Sequence, residues 1–413
     1  MTMAFFLEKI GTGSEKMRSQ KLWLLTLNAT FNMVMGFILP VNMIFIKQNL
    51  HQTQNMAGFA LMVYSALMMV GNYLGGILFD KLSKKWTLQI GYIIAVISLL
   101  GMTFHHVWPS YLFMLVMLGF GMGISYTAIN GYTAFVAEET IGDSRVLFNN
   151  MYLAANLGIA VGSTAVGFIF EWSIFFTFFI PVIFFVLCLL IVFFKASVLD
   201  ATNEAAEKTH EYKMDSEEVD PKVAIGEKRF RLNLIILSLG VFIMWMGYTQ
   251  WDSNMSLYML GNGFSKKEYS IVFTINAASL LLIQPVMNRI MSKIFKLLKN
   301  QILVGIVIMG LSFLLLPGAN QYWMFVVSML ILTVGESMVF PTIPALLNKM
   351  STNQNRGNLQ SLYTIMGSLG RAVGPYAGSL IVTALSFANL FYGITAAMIL
   401  VAVSLKGVKE LEI

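Results

Sequence analysis

Charge is what this 413-residue chain has least of. Asp, Glu, Lys and Arg together make up 12% of it, against about 25% in an ordinary soluble domain. So few charges exclude a water-covered globule of this size. There is one cysteine, Cys188, set in an apolar run, which excludes a disulfide framework and a thiolate metal site. A phosphate-binding loop is missing: "GTGSEK" (11–16) lacks the G-x-x-x-x-G-K spacing, which argues against ATP-driven pumping. "GFGMG" (119–123) lies inside an apolar run with no strand before it, so it reads as helix packing rather than a dinucleotide loop. His51, His105 and His106 show no zinc-ligand spacing, and no nucleophile–base constellation marks an enzyme. No short apolar core with a small-residue cleavage site opens the chain. Lys9, Lys16, Arg18 and Lys21 precede a full-length apolar run, so no cleaved signal peptide is expected.

What is present is hydrophobic: 57% of residues and a mean hydropathy of +0.72. A spanning helix needs about 20 mostly apolar residues. Twelve runs qualify, at 21–46, 56–79, 86–106, 110–137, 147–170, 174–195, 231–258, 268–288, 299–317, 321–347, 357–384 and 388–405. The prediction is an all-α membrane protein of twelve transmembrane helices in two six-helix halves. With the N-terminus inside, 23 of the 27 Lys and Arg residues fall on inner segments, while Lys47, Lys266 and Lys267 fall outside and Arg371 lies within a span. That bias places both termini in the cytoplasm of a multi-pass cytoplasmic-membrane protein. It also accounts for the net charge of +6 without a nucleic-acid partner. The one long hydrophilic segment, 196–230, is too charged and too poor in large apolar residues to form a core. It divides the chain into an N-terminal half (1–195), a cytoplasmic linker and a C-terminal half (231–413).

The halves resemble each other. "NLGIAVGSTAVG" (156–167) in span 5 and "SLGRAVGPYAGS" (368–379) in span 11 pair Gly158 and Gly162 with Gly370 and Gly374 at a constant offset. The same offset pairs Gly123 of span 4 with Gly335 of span 10. Six spans separate the copies, so the repeat is parallel, and a substrate site is expected near the midplane. These glycines and Pro375 are read as helix-packing residues.

In the loop after span 2, "GGILFDKLSKKWTLQIG" (75–91), Gly76, Leu78, Asp80, Lys81, Lys84 and Lys85 resemble the G-x-L-x-D-[RK]-x-G-[RK]-[RK] signature of the major facilitator superfamily. Ser83 replaces the second glycine, and a degenerate copy, Asn288 and Arg289 followed by Lys293, stands in the second half. "GRAVGP" in span 11 resembles the G-x-x-x-G-P motif that drug antiporters of the superfamily carry in helix 5, where this chain has Ser163 in place of proline. Leu115 stands where many drug/proton antiporters carry an arginine in helix 4. Three further features are similar to bacterial multidrug/proton antiporters, the group that includes the lactococcal multidrug transporter. They are Glu138 to Arg145 after span 4, Asp252 late in span 7, and Gly335, Glu336 and Pro341 in span 10. The resemblance implies the major facilitator fold. It also implies that Gly76, Asp80, Lys81, Lys84, Lys85 and Arg145 gate the inner mouth, Asp80 facing the start of span 11 near Arg356. The plainer reading is that the lysines only anchor topology.

Charges inside spans are costly and usually functional. Glu336 lies about 15 Å above the inner boundary and Arg371 about 21 Å, at about 1.5 Å per residue, so the two are within reach of a pair, functional or purely structural. Asp252 is close to the outer surface, and Glu138 sits at the inner mouth. These four are the candidate proton-coupling residues. Asn28 and Asn32 share one face of span 1. With Asn130, Asn156, Tyr248 and Asn276 they are the candidate cavity lining, bonding between helices being the alternative. The 29 Met and 32 Phe residues suit adaptable ligand surfaces or plain bundle filling.

The expected function is secondary active transport by alternating access. The leading expectation is proton-coupled efflux of hydrophobic or cationic amphiphilic compounds; the alternatives are a transporter of a specific metabolite (sugar, peptide or lipid precursor) or a non-transporting membrane receptor. The expected partners are a small-molecule substrate, protons and the lipid bilayer, with the chain a monomer. No cofactor is expected, the proton gradient being the energy source.

Overall fold

The computed structural model describes residues 15–138, 144–200, 226–351 and 356–410. Among them all regular structure is helical. The helices are α1 (Glu15–Gln48), α2 (Gln54–Lys81), α3 (Lys84–Phe104), α4 (Ser110–Glu138), α5 (Ser144–Trp172), α6 (Ile174–Leu199), α7 (Glu227–Tyr248) and α8 (Asn254–Gly261). They continue with α9 (Lys266–Ile294), α10 (Leu298–Ser312), α11 (Tyr322–Val339), α12 (Thr342–Lys349), α13 (Arg356–Ala384) and α14 (Phe387–Leu405). Eleven stretches among the described residues, with α11 and α12 taken together, are long and apolar enough to cross a membrane. The remaining long helix, α13, has 29 residues and Pro375 within it. The chain is a multi-pass, all-α membrane protein. Two expected spans are interrupted: span 7 divides into α7 and α8, and span 10 into α11 and α12.

Contacts divide the protein into two compact units. The first holds the chain up to Ile38 and from Leu67 through α6; the second holds Leu39–Ala66 and α7 to α14. The sequence division instead assigned 39–66 to the N-terminal half. Most of the 196–230 linker lies outside the described residues.

Within the first unit α3 packs on α4 and α6, and glycines set the closest crossings. A Cβ on Gly158 or Gly162 of α5 would come within 3 Å of the α1 backbone at Ala29 or Met33. Such approaches are what small residues permit between membrane helices. Within the second unit α7 packs on α13 and α14, α10 on α11 and α14, and α9 on α11. A Cβ on Gly370 or Gly374 of α13 would strike Phe242, Trp245 or Thr249 in the same way. The α1–α5 crossing is thus repeated as α7–α13, built by the glycines the sequence paired.

The other pairing needs correcting. Gly123 of α4 packs on Met68, Gly71 and Asn72 of α2, whereas Gly335 of α11 packs on Gly305 and Met309 of α10. The counterpart of Gly335 is Gly121, which meets Gly91 and Ala95 of α3. The α3–α4 crossing at Gly91 and Gly121 recurs at Gly305 and Gly335 of α10 and α11, both 214 positions on. The register between the copies therefore drifts by two residues from one crossing to the next, as it must when connecting loops differ in length.

The tail after α14 ties helix ends together. Arg229 donates to the Gly407 carbonyl at 2.6 Å, and Asn233 exchanges hydrogen bonds with the Lys409 backbone. Glu410 accepts from the Leu298 and Lys299 backbone N–H groups at the start of α10 and pairs with Lys349 at 3.1 Å. A carboxylate is well placed at a helix N-terminus, where free N–H groups and the helix dipole meet it.

Candidate functional site

Both interruptions have local causes. Pro341 has no N–H, so the carbonyl of Ser337, four residues back, loses its helical partner. The Gln284 amide of α9 takes that carbonyl at 3.1 Å. Gln301 of α10 donates to the Met338 carbonyl at 3.1 Å and to the Thr342 hydroxyl at 2.8 Å. In span 7, "YTQWDSN" (248–254) gathers side chains that compete with the helical ladder. Thr249 bonds the Trp245 carbonyl, and Ser253 bonds that of Thr249. Gln250 donates to the carbonyls of Met246 and Gly374, at 2.8 and 2.9 Å. Asn254 donates to Gln250 and to the Pro375 carbonyl and accepts from Ser379 and Gln54. Gly378 lacks the Cβ that would strike Gln250 and Asn254. The break is thus a hydrogen-bonded polar seam, although the buried Trp251 Nε1 within it has no partner among the described residues; such bonding is the condition on which irregular backbone survives at membrane depth.

Glu336 is 5% exposed and sits four residues before Phe340, which caps the end of α11 with its N–H on the Glu336 carbonyl. Its Oε2 accepts from Asn276 Nδ2 of α9 at 3.1 Å and its Oε1 from the Tyr248 hydroxyl of α7 at 3.4 Å. The same Asn276 Nδ2 also donates to Thr333 Oγ1 at 2.8 Å. Three helices therefore meet on one buried carboxylate.

Arg371 is the other mid-span charge, and it does not touch Glu336. Its guanidinium lies 4.3 Å from the centre of the Trp245 ring, and Nη2 donates to the Ser368 hydroxyl over a long 3.4 Å. Trp245 stacks on Phe340, with centroids 4.8 Å apart and planes inclined 14°. Tyr248 stands edge-on to both rings at 5.4 Å. The ion pair that reach along the helices suggested is replaced by a cation–π contact on one side of an aromatic stack and hydrogen bonds to the acid on the other. Asp252 lies half-buried in the turn between α7 and α8, within electrostatic reach of Arg371. Ion pairs among the described residues include Arg231–Glu227 and Lys349–Glu410.

Other candidates are placed as follows. Asn28 is buried and donates to the Met151 carbonyl of α5 at 2.7 Å, while Asn32 donates back to Asn28. Asn28 thus ties α1 to α5, while the bonds of Asn32 stay within α1. Asn156 bonds the Tyr152 carbonyl of its own helix, and Asn130 is exposed. Asp80 and Lys81 are exposed at the end of α2. Lys84 lies over the Phe135 ring and Lys85 over Phe193. Ser83 caps α3 with an extended φ of −176°, a backbone that needs no glycine. A Cβ on Gly76 would meet only Thr127, at 3.8 Å, whereas Gly71 and Gly75 pack directly on the α4 backbone. The side chains of Glu138, Arg145, Asn288 and Arg356 lie outside the described residues. No cluster of three or more metal-ligating side chains occurs among the described residues.

Sequence reasoning missed Trp245, Phe340, Thr333, Gln250 and Asn254. Trp245 precedes Tyr248 by one helical turn and Phe340 precedes a proline, signals that carry meaning only once the two helices are known to be neighbours.

The chain matches the Major Facilitator Superfamily over residues 24–298 and 237–410. It is 31% identical over 347 residues, 84% of each chain, to the uncharacterized MFS-type transporter YttB of Bacillus subtilis (strain 168). This chain belongs to the major facilitator superfamily. A second relative from the same organism, the uncharacterized MFS-type transporter YhjO, is 26% identical over 49% of this chain and 50% of its own. Among solved structures, a POT family transporter in complex with 5-aminolevulinic acid superposes with a TM-score of 0.77 at 14% identity, covering 93% of this chain and 94% of that one. A peptide transporter POT in complex with sulfate gives 0.76 at 13%, covering 94% and 93%. At such identities the likeness is one of fold. This major facilitator protein is a membrane transporter.

Proposed function

We propose that the protein is a proton-coupled secondary transporter of the cytoplasmic membrane, with both termini in the cytoplasm, that exports amphiphilic organic compounds and carries its coupling proton on Glu336. The supporting observation is the placement of that carboxylate. It is buried in a span, at the proline break of α11, and held by donors from two other helices. An ionised carboxylate accepts from both Tyr248 and Asn276. A protonated carboxyl must place its own O–H, and the Tyr248 oxygen can receive it, because a hydroxyl rotates between donor and acceptor. Movement of α7 relative to α9 therefore changes which protonation state fits. That is the link antiport requires between conformation and proton binding. The aromatic stack beside the acid suits an amphiphilic substrate.

One observation bears on the choice between cationic drugs and a defined metabolite. Arg371 sets a positive charge against the aromatic stack, and no carboxylate contacts it among the described residues. This favours a metabolite over permanent cations.

The test is accumulation against a gradient in proteoliposomes with an imposed pH difference. Wild-type protein should concentrate substrate and lose that ability with an uncoupler. The Glu336→Gln variant should bind and equilibrate substrate without concentrating it. Uphill transport by Glu336→Gln at the wild-type rate would reassign the proton to Asp252 or Glu138.

A further inference from the structure

We infer that Arg371, seated on the Trp245 ring, is a substrate-binding residue for an anionic group, so that the transported compound is an organic acid or zwitterion whose carboxylate meets Arg371 while its apolar part packs on the Trp245–Phe340 stack. The inference rests on the transporter reading, but not on Glu336 as the proton carrier.

A guanidinium inside a span is expensive to hold and nearly always has a partner. Here the expected partner is already satisfied: both Glu336 oxygens accept from Tyr248 and Asn276. The hydrogen bond of Arg371 among the described residues is the long one to Ser368, on its own helix. Among the described residues most of its five N–H donors, arranged in a fork that matches a carboxylate, are unused. Its position is built by the fold. Gly367, Gly370 and Gly374 bring α13 so close to α7 that a Cβ at any of the three would strike Trp245, Met246 or Thr249. The guanidinium beside them is thereby set over the indole, a contact that offsets part of its desolvation. Arg371 is half-buried, so it remains accessible. The rival partner is Asp252, within electrostatic reach and not in contact.

The test is binding of two probes to the purified full-length protein in lipid nanodiscs. Dansylglycine carries an aryl group and a carboxylate; dansylglycinamide is its uncharged isostere. A charge-assisted pair predicts that wild-type protein binds the acid about ten- to a hundredfold more tightly than the amide. Arg371→Gln should bind both alike and Arg371→Lys should keep part of the preference, both with unaltered gel-filtration profiles. Glu336→Gln and Asp252→Asn should still bind the acid more tightly than the amide, because both leave the guanidinium in place, which separates this inference from the proton assignment. Equal binding of acid and amide by wild-type protein, no saturable binding of the acid, or a preference that survives Arg371→Gln would each overturn it. So would restoration of transport in Arg371→Gln by adding Asp252→Asn, because Arg371 would then serve only to neutralise that acid.

Discussion

The α1–α5 crossing and the α7–α13 crossing are copies of one design, and they differ in what they do with polar groups. In the first, Gly158 and Gly162 bring two unbroken helices together, and Asn28 spends its amide on the Met151 carbonyl. The polar side chains there bond backbone and close the packing. In the second, Gly370 and Gly374 make the same close approach, but α7 ends at Tyr248 and the chain unwinds for five residues. Gln250 and Asn254 sustain that break, and Arg371 and Glu336 stand on either side of an aromatic stack. The repeat conserves the packing surface and leaves the chemistry free to diverge. A glycine stripe needs only backbone approach, which both copies supply; a buried charge needs specific partners, which the second copy has assembled around Glu336.

The comparison is most easily broken at the glycines. Gly162→Leu and Gly370→Leu should both deplete folded, membrane-inserted protein, because each side chain meets backbone of the facing helix. Overpacking costs about 1–3 kcal/mol even where neighbours can shift, and here they cannot shift without parting the helices. Fluorescence-detected gel filtration after detergent extraction reads the loss; a normal monodisperse yield for either variant would mean that its crossing is not set by glycine.

A smaller and more discriminating effect comes from one polar group in each crossing. Glu336→Gln should retain near-wild-type thermal stability and lose proton-driven accumulation. Asn28→Ala should do the reverse, losing about 0.6–2 kcal/mol of stability while still pumping. Melting curves and uphill transport, measured on the same preparations, give the two readings. A pumping defect in Asn28→Ala larger than its stability loss would bring the first copy into the chemistry.

Tyr248→Phe sharpens the second copy itself. It keeps the ring contacts with Trp245 and Phe340 and removes the hydroxyl on Glu336. At 3.4 Å that hydrogen bond is long, so an effect of about 1 kcal/mol, about fivefold in transport rate, is expected. The pH at which the rate is half-maximal should move as well. An altered rate with an unmoved pH profile would assign the hydroxyl to substrate rather than to the proton.

The smallest effect belongs to the signature loop. Gly76→Ala should change stability by less than about 0.5 kcal/mol, because its Cβ finds open contact with Thr127. Gly75→Ala, whose Cβ would lie 2.9 Å from the Ile124 Cα, should be clearly worse by the same melting assay. If Gly76→Ala abolishes transport while folding normally, the motif glycine serves gating rather than packing.

By itself the sequence determined the class of the molecule. Low charge and twelve apolar runs leave helices as the fold, because a bilayer admits no backbone hydrogen bonds to solvent. The spacing of Gly158 and Gly162 against Gly370 and Gly374 announced the repeat, because close helix approach demands small residues at fixed spacing along one face. Glu336 and Arg371 were visible as candidates because charge is rare inside a span. Tertiary structure decided the rest. Rise per residue located both charges along their helices, but not around them, so it suggested a pair where the fold interposes Trp245, Tyr248 and Phe340. The break in span 7 was hidden because Thr249, Gln250, Ser253 and Asn254 are ordinary polar residues until the carbonyls of Gly374 and Pro375 stand opposite them. Which glycine of span 4 answers Gly335 was likewise decided by the facing helix: Gly121 meets α3 and Gly123 meets α2, a distinction between two sides of one cylinder that no one-dimensional offset contains.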